Sequence, residues 1–290
     1  MYYPDSELII NADGSAFHLH LRPEQLADKV ILVGDPGRVK MVASFFDTQE
    51  CEVSNREFHS ITGVYKNKRL TVVSTGIGCD NIDIVVNELD ALANIDFSTR
   101  EDKPDFRKLD LVRIGTSGGI QENVPVGSYV ISKRSIGFDG LLNFYGKRDE
   151  VADEKFEKAF VSHMQWTGNQ CIAHPYVVSA SEELTARLNR NDMIDGITIA
   201  CGGFYGPQGR RLRIPLADPR QNEKIRSFRY ENHAITNFEM ESSALAGLSA
   251  MMGHNAVTVC LIIANRFALA ANTDYHDGME KLIQTVLDRI

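Results

Sequence analysis

Leu70-Thr71-Val72-Val73-Ser74-Thr75-Gly76-Ile77-Gly78 runs almost directly into an apolar-periodic stretch, residues 81–94, and this junction decides the fold class. The run up to Thr75 is rich in β-branched residues and reads as a strand, and Gly76-Ile77-Gly78 reads as a turn. Beyond it, Ile82, Val85, Val86, Leu89, Leu92 and Ala93 recur at the spacing of a helix with one apolar face. The same alternation continues outward. Strands are expected at 30–33, 70–75, 109–114, 129–132, 177–180, 197–200 and 257–264. Helices are expected at 39–46, 81–94, 153–166, 181–192, 240–252 and 278–290. Several strands show no polar alternation, as when both faces of a sheet are covered. Together these predict an α/β chain, residues 1–290 as a single domain, with a central mixed, largely parallel sheet surrounded by helices. No repeat or low-complexity tract interrupts it. The most loop-like stretches are 98–108 and 207–222.

Composition narrows the function. Of 290 residues, 43% are hydrophobic and 24% charged, and 31 basic against 39 acidic residues leave a formal charge of −8. No global positive field exists to draw in nucleic acid or an anionic membrane. The longest nearly apolar run, 256–264, is far short of the roughly 20 residues that span a bilayer. The start, Met1-Tyr2-Tyr3-Pro4-Asp5, lacks a basic, then apolar, leader. Cys51, Cys79, Cys171, Cys201 and Cys260 are odd in number and scattered, which suits reduced thiols in a cytoplasmic protein. His18-x-His20 has no further ligand residues nearby, so no metal is expected.

Three glycine turns carry the chemistry. In Val33-Gly34-Asp35-Pro36-Gly37-Arg38, close backbone approach, a helix N-terminus and a guanidinium suit phosphate. A tight turn with a solvated arginine reads equally well. The second, around Gly76 and Gly78, half-matches a dinucleotide fingerprint, but Asn81 stands where its third glycine belongs. The third, Arg113-Ile114-Gly115-Thr116-Ser117-Gly118-Gly119-Ile120, sets an arginine inside an apolar strand, where it needs an anion from a ligand or from a structural salt bridge.

Taken together with Phe17-His18-Leu19, Arg56-Glu57-Phe58, Phe204-Tyr205-Gly206-Pro207-Gln208-Gly209-Arg210, Asn237-Phe238-Glu239-Met240-Glu241-Ser242 and Asn265-Arg266, these turns resemble the nucleoside phosphorylase family. The uridine phosphorylase branch is the most similar, and the likeness runs in order along most of the chain.

The resemblance implies reversible phosphorolysis of uridine to uracil and ribose 1-phosphate, with no organic cofactor or catalytic metal. Phosphate would meet Gly34, Arg38, Arg113 and Thr116, with Arg56 entering from a neighbouring subunit. Ribose would fall to Thr116, Met240 and Glu241, with His18 again from the neighbour. The base would stack on Phe204 and meet Gln208, Arg210 and Arg266. Arg113, Glu241, Arg210 and Gln208 would carry catalysis, in a homo-oligomer (dimer or trimer of dimers) with shared sites. Some bacterial relatives hold a monovalent cation between subunits at the positions of Glu57, Ile77 and Asn81. Here Cys79-Asp80-Asn81 departs from the glycine and serine found in many relatives.

Each residue has a plainer reading. Glu239 and Glu241 could be the acidic start of a helix, Phe204 core, His18 an exposed histidine, and Gln208 and Arg210 solvated surface. At the level of function, the rivals are a purine nucleoside phosphorylase, a nucleosidase using water, and a non-catalytic nucleoside-binding protein. Arg38, Arg56, Arg113 and Arg266 weigh against the first two, because purine enzymes usually carry an aspartate near the position of Arg266 and hydrolytic relatives tend to lack the phosphate arginines. A protein that only binds would be expected to have lost charged site residues, and none is missing.

Overall fold

The computed structural model describes residues 1–166 and 173–290; Cys171 lies outside them. In chain order the main elements are β1 (Lys29–Val33), α1 (Pro36–Ala43), β2 (Thr48–Asn55), β3 (Phe58–Tyr65), β4 (Lys68–Ser74) and α2 (Cys79–Asn94). Then come β5 (Asp110–Gly119), β6 (Tyr129–Gly137), α3 (Glu154–Met164), β7 (Tyr176–Ser179), α4 (Glu182–Leu188) and β8 (Ile194–Ala200). The chain ends with α5 (Gln221–Ser227), β9 (Asn237–Glu239), α6 (Ser242–Met252), β10 (Asn255–Asn265) and α7 (His276–Arg289).

One sheet joins these strands in the order β10-β6-β8-β9-β5-β1-β4-β3-β2, with β7 on β6. Because β10 also pairs with β5, the strands β10, β6, β8, β9 and β5 close into a ring. Pairing is parallel where β1 meets β4 and β5 and where β10 meets β5, and antiparallel in the β2–β3–β4 meander. The absence of alternation in the central strands has the expected cause: both faces are covered. Ile82, Val85, Val86, Leu89 and Leu92 of α2 pack on one side with Val30 and Leu32. On the other side, Val39 and Val42 of α1 and Leu282, Ile283 and Val286 of α7 pack with Ile31, Val33, Val112 and Ile114. Among the described residues, no helix is long and apolar enough to cross a membrane.

Three sequence expectations change. The β2–β3 hairpin was not anticipated. The stretch read as a third glycine turn is strand up to Gly119: β5 continues that far, held by β10 from Gly115 and by β9 at Gly118 and Gly119. The last helix before β10 begins at Ser242 rather than at Met240, because Glu239 closes β9 and its carboxylate receives the first amides of α6.

Candidate active site

A cavity of about 600 Å³ opens where β1, β4, β5, β9 and β10 meet. Nine of the residues singled out from sequence line it: Gly34, Arg38, Arg113, Thr116, Phe204, Gln208, Arg210, Met240 and Glu241. His18, Arg56 and Arg266 do not.

Arg113 sits mid-strand, paired through the backbone with Leu32 of β1 and Thr258 of β10, and is 5% exposed. A guanidinium buried this deeply must be compensated. Its Nη2 donates to Glu241, and its Nη1 lies 3.4 Å from Glu239. Burial alone would lower its pKa, but the two carboxylates more than offset that and raise it. Glu241 in turn accepts the Gly78 N–H at 2.8 Å, so the second glycine turn holds this carboxylate. Gly78 has φ +101°, a conformation that favours glycine, and it lets the turn present that N–H.

Arg38 is the opposite case. It is half-buried, lines the cavity, and its side chain makes no hydrogen bond or ion pair among the described residues; burial draws its pKa down. The helix N-terminus beside it is less open to an anion than the sequence suggested. Asp35 caps α1, its side chain taking Gly37 N–H at 2.8 Å and its carbonyl taking Arg38 N–H at 3.0 Å.

The far end of the cavity is cationic. Gln208, 3% exposed, accepts Arg210 on Oε1 and Arg266 Nη2 on the same atom at 3.2 Å, while its carbonyl accepts Arg266 Nη1. Two cations on Oε1 fix the amide orientation and leave Nε2 as the free donor. The Arg210 guanidinium also lies 3.7 Å from the Phe204 ring centre. Burial lowers the pKa of both arginines, that of Arg266 to about 10 with Arg210 adding repulsion. Arg266 therefore acts from behind Gln208.

His18 and Arg56 lie close together, outside the cavity lining. His18 Nδ1 is 2.6 Å from Glu88, whose carboxylate also accepts the N–H groups of His18 and Leu19. Arg56 lies over the Phe17 ring at 5.6 Å, and its φ of +54° is unusual for a non-glycine residue. Neither side chain lines its own chain's cavity.

Glu57, Ile77 and Asn81 lie together around Gly76. The Asn81 amide donates to the Ile77 carbonyl at 3.3 Å, and it stands where a β-carbon on Gly76 would come within 2.5 Å of its nitrogen. Sequence reasoning offered Glu239 as a helix start but missed its hold on Arg113, and it missed the apolar wall of Phe238, Ile263 and Ala264: Phe238 lies in β9, not expected as a strand, and the other two in a strand that read as ordinary core.

Residues 28–289 match the phosphorylase superfamily. A uridine phosphorylase of Thermococcus kodakarensis is 28% identical over 257 residues, covering 88% of this chain and 79% of that protein. A DeoD-type purine nucleoside phosphorylase of Bacillus subtilis is 24% identical over 278 residues, covering 93% and 98%. The crystal structure of a Trypanosoma brucei nucleoside phosphorylase, reported to show uridine phosphorylase activity, superposes with a TM-score of 0.86 at 30% identity over 97% of this chain and 98% of that one. The chain is thus an enzyme that belongs to the phosphorylase superfamily.

Proposed function

We propose that the protein is a uridine phosphorylase: uridine and phosphate give uracil and ribose 1-phosphate, reversibly. The observation that carries this reading is the polarity of one cavity, with Arg38 and Arg113 at one end and Gln208 between two arginines at the other. Phosphate would lie beside Arg38 and Arg113, and the ribose hydroxyls against Glu241. The bond from C1′ to N1 lengthens first, giving the sugar oxocarbenium character, as at glycosidase transition states. A phosphate oxygen then bonds to C1′, while the N1 electron pair leaves with uracil, which takes up a proton. The negative charge growing on the base would face the donors around Gln208.

Purified protein should release uracil from uridine only when phosphate is present. Equal release without phosphate would make it a nucleosidase. Substituting tetramethylammonium for potassium in the same assay should change nothing, because Asn81 already satisfies the Ile77 carbonyl; a specific potassium requirement would restore the interfacial ion.

His18 and Arg56 are proposed to complete the pocket of a second copy. Arg56→Ala and Glu241→Ala subunits should each be inactive. Mixed under conditions that exchange subunits, they should regain part of the wild-type rate, because some pockets then carry neither change. No recovery despite measured exchange would count against shared sites.

A further inference from the structure

Two carboxylates face one guanidinium at the closed end of the cavity, and their remaining bonds differ. The Glu239 side chain is 1% exposed and its oxygens are taken by the start of α6. Oε2 accepts Glu241 N–H at 2.9 Å, Oε1 accepts Ser242 Oγ–H at 2.6 Å, and Ser242 N–H lies 2.9–3.0 Å from both. Glu239 could reach a sugar hydroxyl only by releasing the helix. One carboxylate therefore pins both Arg113 and the backbone of Glu241, and so fixes the spacing between the phosphate arginine and the ribose carboxylate.

That arrangement has an electrostatic consequence. Arg38 and Arg113 bring two positive charges to this end, and the carboxylates of Asp35, Glu239 and Glu241 oppose them. Three thiols also lie near Glu239: Cys260 from β10, Cys79 from α2 and Cys201 after β8. Burial pushes all three upward, so they stay neutral and leave the balance to the arginines and carboxylates. Within one chain the anion end carries no net positive charge.

The geometry points to Glu239 as a positioning residue that holds Arg113 in line for transfer while weakening the grip on the anion. This rests on the phosphorolytic reading above. It separates two quantities that a merely structural residue would move together. Glu239→Gln keeps the size and the acceptor oxygen but removes the charge. A dianion a few ångströms away then gains about tenfold or more in affinity at an effective dielectric of about 20. The freed guanidinium no longer holds its line, and misplacement on the order of 1 Å costs about 10²-fold in rate.

The experiment, run at about pH 8 so that wild-type Glu239 is ionised, is calorimetric titration with sulfate, a dianion that neither titrates near neutrality nor reacts, alongside steady-state kinetics with uridine and phosphate. Glu239→Gln should bind sulfate about tenfold more tightly and turn over about 10²-fold more slowly. Weaker or unchanged sulfate binding, or unchanged kcat, overturns the proposal. If that variant does not fold, Ser242→Ala keeps the charge and loosens the clamp: kcat should fall with sulfate affinity unchanged, and an unaltered kcat overturns the proposal. Sulfate binding is read without turnover. A wild-type protein that fails to cleave uridine would therefore sink the phosphorolytic reading while leaving the charge comparison standing.

Discussion

Arg113→Ala should lower turnover by about 10²–10³, as when a transition-state donor is removed, and should also cost about 3–5 kcal/mol of folding stability, as when a buried ion pair loses one partner. The second effect follows from burial. Glu239 and Glu241, 1% and 4% exposed, would be left facing each other without their shared cation. The pH dependence has a definite sign. Burial already raises Glu239 to about 7, against the pull of Arg113. The folded protein thus holds that proton more tightly than the unfolded chain does. The resulting stability is present below the usual carboxylate pKa and is lost as pH rises through about 7. Removing Arg113 removes the counter-pull, so the variant's melting deficit should be larger at pH 8 than at pH 6. Arg38→Ala is the companion test. This guanidinium is half-buried and has no partner among the described residues, so its loss should weaken phosphate saturation with little change in melting temperature. Unchanged phosphate saturation in both variants would remove the arginines from the site. A pH-independent melting deficit in Arg113→Ala would remove the buried triad from the account.

The sequence made some of this legible and hid the rest for identifiable reasons. The α2 face was readable because its apolar residues repeat at helical spacing and are all buried. The β2–β3 hairpin was not. Its edge strand, Thr48-Gln49-Glu50-Cys51-Glu52-Val53-Ser54-Asn55, is largely exposed and polar, and its two-residue turn is Arg56-Glu57 rather than a glycine or asparagine pair. The positive φ at Arg56 is where the local rule fails, and the resemblance gives that residue a role in a neighbouring pocket. Glycines misled in the opposite direction at 115–119. They read as a turn, yet β5 runs on there because β9 and β10 come close to it: a β-carbon on Gly119 would sit 3.1 Å from the side-chain amide nitrogen of Asn265 in β10. Pairing between distant segments settled that stretch, and local composition cannot report such pairing. The pair Glu239 and Glu241 was visible as a motif, but nothing in its spacing distinguishes a carboxylate that caps a helix from one that faces the cavity.

Uridine should be cleaved with phosphate at least 10⁴-fold more efficiently than cytidine, the discrimination of about 10⁴–10⁵ expected when buried hydrogen-bonding groups lose their partners. Uracil presents an acceptor, a donor and an acceptor along O2, N3–H and O4. Gln208 can meet two of these, but its Oε1 is engaged by Arg210 and Arg266 before any base arrives. Arg210 also covers one face of Phe204 at 3.7 Å. A single movement of Arg210 off the ring and onto O4 would free the amide oxygen for N3–H and the ring face for stacking. Arg266 remains behind Gln208 and keeps Nε2 turned to the base. Cytosine breaks this exchange at two points. Its N3 offers no hydrogen to the freed oxygen, and its 4-amino group meets a guanidinium, donor against donor, in a site where burial already disfavours both arginine charges. In a purine nucleoside the carbonyl edge lies on the ring farther from C1′, so with C1′ beside Arg113 it would overshoot the position at which Gln208 meets the uracil edge. Phosphate-dependent release of free base from uridine, cytidine, inosine and adenosine under identical conditions tests the whole chain of argument. Cytidine cleaved within tenfold of uridine would mean that Gln208 does not read the base edge, and inosine cleaved as well as uridine would place the protein in the purine branch, because a site clamped by Gln208 and two arginines cannot serve both rings equally.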